Sequence, residues 1–198
     1  MKKIVLMLAT TLISSFAFAD AKIGSPAPDF SVTDAQGKPQ HLKDYKGKYV
    51  ILEWYNKDCP YVRKHYDSKN MQKIQSEMTG KEVVWLTVIS SAKGKQGYLA
   101  AADALANGTK EGSKANAILL DSSGAMGKAY GAKTTPHMFL IDPQGMVRYA
   151  GAIDNNDSSD PKTVETAQNY IVAATNSAMK GEKIAKETSK PYGCSVKY

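Results

Sequence analysis

The stretch Val50-Ile51-Leu52-Glu53-Trp54-Tyr55-Asn56-Lys57-Asp58-Cys59-Pro60-Tyr61-Val62 decides the fold. Val50, Ile51 and Leu52 lead a near-continuous apolar run over 49–55, the pattern of a strand buried on both faces. A short polar turn follows. Pro60 then opens a helix, since proline suits the first helical position, where its missing N–H has no intrahelical partner to lose. Cys59 therefore falls at the N-cap. Unpaired amides and the positive end of the helix dipole stabilise an anion there, so a thiolate at this place has a lowered pKa and is the reactive form. The alternative is an inert buried cysteine, because free cysteines are often buried.

Downstream, residues 60–78 read as one helix closed by Gly80, and 83–89 as a strand rich in β-branched and aromatic residues. A Gly/Lys/Ser loop over 90–97 leads to a helix over 98–106, ending at Asn107-Gly108. A short strand over 118–120 and a short helix reaching Tyr130 follow. Residues 138–141 and 147–150 form a hairpin around Asp142-Pro143-Gln144-Gly145. The last helix spans 161–179, with Pro161 in its first turn, and 180–198 is a polar extension. Upstream, 29–42 holds two short strands about Asp34-Ala35-Gln36-Gly37. This order implies an α/β fold: a parallel core with an antiparallel flank, covered by helices.

Of the 198 residues, 42% are hydrophobic, ordinary for a chain with a real core. Residues 1–19 read as a cleavable signal peptide. Lys2 and Lys3 precede an apolar run broken by Thr10, Thr11, Ser14 and Ser15, and Ala17-Phe18-Ala19 is a small-x-small cleavage site. That run is too short and too polar for a bilayer, which takes about 20 apolar residues. The expectation is an exported, periplasmic or secreted protein with a domain at 20–179, an extension at 180–198 and no membrane anchor. After cleavage, 24 basic and 19 acidic residues remain, scattered with few interleaved aromatics, which argues against nucleic acid as a partner. Two cysteines in an oxidising compartment tend to pair or to be used. Cys59 and Cys194 make no CxxC and no zinc-type cluster, so no metal or other cofactor is expected.

The segment 50–62 resembles the active-site strand, turn and helix start of thioredoxin. Tyr130-Gly131-Ala132-Lys133-Thr134-Thr135-Pro136, followed by an apolar strand, resembles the thioredoxin loop that carries a cis-proline. Gly24-Ser25-Pro26-Ala27-Pro28-Asp29-Phe30, with Gly37-Lys38 and Leu42, looks like the N-terminal hairpin of the alkyl hydroperoxide reductase/thiol-specific antioxidant (redoxin) family. The resemblance covers about residues 22–179 and implies a thioredoxin-like fold with a central mixed sheet. Two departures matter. Thioredoxin has a second cysteine where this chain has Val62, and peroxiredoxins carry Pro and Thr where it has Leu52 and Asn56. The chain looks like a redoxin with a single cysteine at the active site.

The resemblance implies roles for particular residues. Cys59 is the nucleophile and Glu53 a buried acid that exchanges protons with it. An acid in an apolar strand is costly without a partner or a raised pKa, which agrees with that role. A cis bond before Pro136 would set Thr135's backbone beside Cys59 to align an extended substrate. Trp54 and Tyr55 would shape the groove. Pro60, Arg63 and His137 are possible supports: Arg63 for a thiolate or a peroxide oxygen, or else a solvated helix residue, and His137 as a proton shuttle or a plain polar residue. His65 and Tyr66 are expected to cover the helix surface. Cys194 lies among Pro191 and Gly193, on a turn; folded back, it would serve as resolving thiol for a sulfenic acid on Cys59, or it would pair between chains.

The function expected is a thiol-dependent oxidoreductase acting on a protein disulfide, a small thiol or a hydroperoxide. A copper-handling binding protein using Cys59, His137 and Met138 is the rival. A relic permanently stapled by Cys59–Cys194 is a third reading. Electron donor and oligomeric state stay open.

Overall fold

The computed structural model describes residues 21–198; the signal-peptide reading of 1–19 lies outside them. Among the described residues, nine strands and five α-helices follow in chain order. They are β1 (Ser31–Thr33), β2 (Pro39–His41), β3 (Val50–Trp54), α1 (Pro60–Asp67), α2 (Asn70–Gly80), β4 (Val84–Ile89), α3 (Ala101–Glu111) and β5 (Ala117–Leu120). After these come α4 (Ala125–Tyr130), β6 (Thr134–Thr135), β7 (His137–Ile141), β8 (Val147–Gly151), α5 (Tyr170–Met179) and β9 (Cys194–Ser195). The main sheet has the order β5-β4-β3-β7-β8. β3, β4 and β5 are parallel, while β7 and β8 run antiparallel as a hairpin. This is the thioredoxin-like α/β architecture, with β1–β2 as a separate N-terminal hairpin.

β3 is buried along its whole length, as its apolar run requires. Its alternation sorts two cores. Ile51 and Tyr55 face one side, with Cys59, α1, α2 and α5; Val50, Leu52 and Trp54 face the other, with α4 and Phe30. β8 alternates buried and half-buried residues, as an edge strand does.

Three helix expectations need correction. The 60–78 helix is two helices: the Ser68 hydroxyl donates to the Lys64 carbonyl (2.7 Å) and Lys69 turns left-handed at φ 62°, so the chain restarts at Asn70. α3 begins and ends later than read and closes at Gly112. Asn107-Gly108 lies inside it: Asn107 donates to the Tyr55 hydroxyl (2.7 Å), and the missing Cβ of Gly108 leaves room for Ile118. The 161–179 helix is a 3-10 turn, Pro161–Glu165, and then α5, capped by Asn169 accepting from the Val172 amide (2.9 Å). Among the described residues no helix is long and apolar enough to cross a membrane.

Candidate active site around Cys59 and Cys194

Cys59 is the N-cap of α1 with Pro60 at the first helical position, as read. The helix begins there because β3 ends at Trp54 and the Asn56 carboxamide folds the turn, accepting from the Asp58 amide (2.9 Å). The thiol is 0% exposed and donates to the Thr135 carbonyl (3.0 Å). The bond from Thr135 to Pro136 is cis.

The edge of β6, expected to receive a substrate strand, carries the chain's own tail. Cys194 pairs with Thr135 and Ser195 with Thr134, antiparallel. Gly193 makes this approach possible: a Cβ there would overlap the Thr135 carbonyl, and its φ of 126° disfavours any L side chain. Val196 N donates to the Lys133 carbonyl (3.0 Å) on one flank. Cys59 and Cys194 are thus brought together across 135 positions, both as free thiols.

The two sulfurs are electrostatically unequal. Burial opposes ionisation of Cys59. Hydrogen bonds from the thiol of Cys194, from the Thr135 hydroxyl and from the amides of Cys194 and Val62 outweigh it and hold its pKa below the ordinary value. Burial and the neighbouring Cys59 push Cys194 up to about 12. Cys59 is the sulfur that ionises first.

Glu53 is fully buried on the Cys59 side of the sheet. It accepts from the Tyr66 hydroxyl (2.9 Å), Gln75 (3.2 Å), the Trp85 indole (2.8 Å) and Thr87 (3.2 Å); neither thiol is among these partners. Burial raises its pKa to about 7 against all these donors, with Glu111 adding to the rise. Arg63 does not face the thiol. Its guanidinium pairs with Glu111 and Asp67. Glu111 in turn accepts from the Tyr55 hydroxyl (2.9 Å). Trp54 and His137 sit opposite each other in the register of β3 and β7, on the face away from Cys59. Trp54 donates to Ser90 (3.0 Å) rather than lining a groove. His137 packs on Phe139, its Nδ1 accepts from the Lys133 amide (3.2 Å), and burial lowers its pKa to about 3. It is neutral near pH 7 and lies on the face away from Cys59, and it does not converge with Cys59 and Met138 as a ligand set.

Expected on the helix surface, His65 and Tyr66 are buried, and so is Lys64. No single-helix pattern signals this, because the covering residues come from elsewhere: Glu53, Tyr55 and Gln75 for Tyr66, and the loop after β8 and the tail for Lys64 and His65.

The match to known proteins is consistent with this geometry. The family model described as AhpC/TSA family matches residues 23–150. The chain belongs to the AhpC/TSA family. A Bacillus cereus protein named thiol-disulfide oxidoreductase ResA is 31% identical over 126 residues, 64% of this chain and 67% of that one. Peroxiredoxin-2 of Macaca fascicularis is 30% identical over 200 residues, covering 88% and 93%. Among solved structures, an uncharacterised conserved protein from Geobacillus kaustophilus superposes with a TM-score of 0.77 at 23% identity, over 96% of this chain and 98% of that one, a likeness of fold.

Proposed function

We propose that this chain is an exported thiol oxidoreductase whose working couple is Cys59 and Cys194. The observation that carries the reading is the β6–β9 pairing, which sets Cys194 opposite Thr135 and its thiol against that of Cys59. The relatives named as thiol-disulfide oxidoreductase and peroxiredoxin support thiol chemistry, and the 1–19 segment supports export.

The steps balance with these two sulfurs alone. With a disulfide, the Cys59 thiolate attacks one sulfur and releases the other as a thiolate. Cys194 then attacks the Cys59 sulfur of the mixed disulfide, its proton passing to the second departing thiolate. With a hydroperoxide, the thiolate takes the terminal oxygen, forming a sulfenic acid and an alcohol. Cys194 then condenses with it, releasing water. Both routes end in a Cys59–Cys194 disulfide and need an external thiol for reset. The tail lies over Cys59, so it must move aside for an oxidant to reach the sulfur. Trp54, His137 and Arg63 have no direct part in these steps, and Glu53, bonded to neither thiol, acts on the couple only through its neighbours.

Turnover of a model disulfide and of an alkyl hydroperoxide, each with dithiothreitol as donor, tests the reading. Cys59→Ser is expected to lose at least a hundredfold with the preferred substrate. With dithiothreitol left out, Cys194→Ser is expected to consume one equivalent and stop with Cys59 oxidised or mixed-disulfide bound, where the wild type goes on to the Cys59–Cys194 disulfide. Full activity of Cys59→Ser on both substrates would sink the reading.

A further inference from the structure

Behind the two thiols lies a buried polar cluster that the redox steps do not use. Lys64 and His65 of α1 have fully buried side chains, as nearly has Asp154, which follows β8. Tyr192 of the tail inserts among them. Its hydroxyl donates to Asp154 Oδ1 (2.5 Å) and lies 3.2 Å from His65 Nε2. Asn70 donates to His65 Nδ1 (2.8 Å), so Nε2 carries the ring proton and donates to the Tyr192 oxygen. Lys64 Nζ donates to the Asn156 carbonyl (2.7 Å), sits 3.6 Å from Asp154 Oδ2 and 5.4 Å from the centre of the Tyr192 ring. The ring also packs near Tyr61, with 5.8 Å between centroids.

This arrangement is expensive. A buried lysine–aspartate pair loses its hydration and often contributes no more stability than an apolar pair of the same volume. Its return is geometric. Tyr61, Lys64 and His65 all belong to the helix that Cys59 caps, and Tyr192 stands two residues before Cys194. His65 lies six positions beyond Cys59, about 9 Å along the helix axis. Two extended residues of tail reach back about 7 Å. The phenol is gripped at a comparable distance down the helix, so the tail returns to the N-cap with its thiol against the other.

We propose that Tyr192 is the positioning residue of the couple: its hydroxyl, held by Asp154 and His65, and its ring, held by Tyr61 and Lys64, fix the distance and direction at which Cys194 meets Cys59. The inference rests on the Cys59–Cys194 couple and assigns what holds it. Without the grip, the reduced tail samples undocked positions and the effective concentration of Cys194 at Cys59 falls.

Tyr192→Phe tests this, since it keeps the ring and removes only the hydroxyl. Oxidation of the reduced full chain is followed by three readouts: the rate of Cys59–Cys194 closure, capture of the Cys59 sulfenic acid by a 1,3-dicarbonyl trap, and the midpoint of a glutathione redox titration. In the variant, closure is expected to slow at least tenfold and trapping to rise. The midpoint is expected to move about 30 mV toward less negative values, which is tenfold in equilibrium constant for a two-electron couple. The initial oxidation of Cys59 is expected not to slow. A merely structural hydroxyl would lower the melting temperature and leave the midpoint in place. Wild-type bridging together with an unchanged rate and midpoint in Tyr192→Phe overturns the positioning role alone. A wild-type chain that never bridges internally overturns both the couple and this role.

Discussion

Glu53 shows how one residue's surroundings set its charge. Four donors point at the carboxylate and favour its ionised form, yet removal from water outweighs them, so the pKa rises from 4.5 to about 7. The folded chain therefore binds a proton between those values that the unfolded chain has lost. Stability is full below about pH 4.5 and falls as pH rises to 7, by about 3 kcal/mol from this group. Glu53→Gln imitates the protonated acid. In urea unfolding at pH 5 and pH 8, the wild type is expected to lose stability between the two and the variant to lose about 3 kcal/mol less. The variant is expected to be the more stable protein at pH 8. Equal slopes would show that Glu53 titrates alike in both states. The buried acid was legible from its place in an apolar strand. Its partners were not, because Tyr66, Gln75 and Trp85 come from α1, α2 and β4, and no local spacing joins them to Glu53.

At the scale of elements, the strand pair β6–β9 creates the candidate site. It is two residues long, so its hold depends on close backbone approach, and Gly193 provides that. Gly193→Ala is expected to push β9 off β6: the new methyl would overlap the Thr135 carbonyl at a φ unfavourable for alanine. Cys194 should then be alkylated at least tenfold faster in the native protein, while the far-ultraviolet spectrum stays unchanged. Unaltered alkylation would mean that the tail does not depend on this contact. The β3–turn–α1 unit was legible because each of its signals is local: the apolar run, the polar turn and Pro60 at the helix start. The break at Ser68 and Lys69 was not, since both residues are tolerated inside helices and the decision lies in one hydroxyl-to-carbonyl bond. β9 was hidden for a related reason. Cys194-Ser195 has no strand pattern of its own and is a strand only where β6 offers an edge.

Across the whole molecule, the tail is a tie between the two faces of the sheet. Ile184 is buried in the core that holds Cys59. Ser189 then bonds to the Tyr149 hydroxyl (2.6 Å) along β8, covering an otherwise open strand edge. Val196 packs on the opposite core. Tyr198 ends the chain with its ring in the space left by Gly124 and Gly127, its hydroxyl donating to the Ala132 carbonyl (2.7 Å). Oxidation would lock this tie by closing a loop from Cys59 to Cys194 that includes most of the domain. Chain-entropy loss in the unfolded state makes such a closure worth roughly 4–5 kcal/mol. For a chain of this size that corresponds to a melting temperature about 8–20 °C higher in the oxidised protein than in the reduced one. Calorimetry on the two redox forms is the measurement, with Cys194→Ser as the form that should show no redox dependence. Equal melting temperatures in the wild type would mean that the two cysteines are not bridged within one chain, however near their thiols lie in the reduced fold.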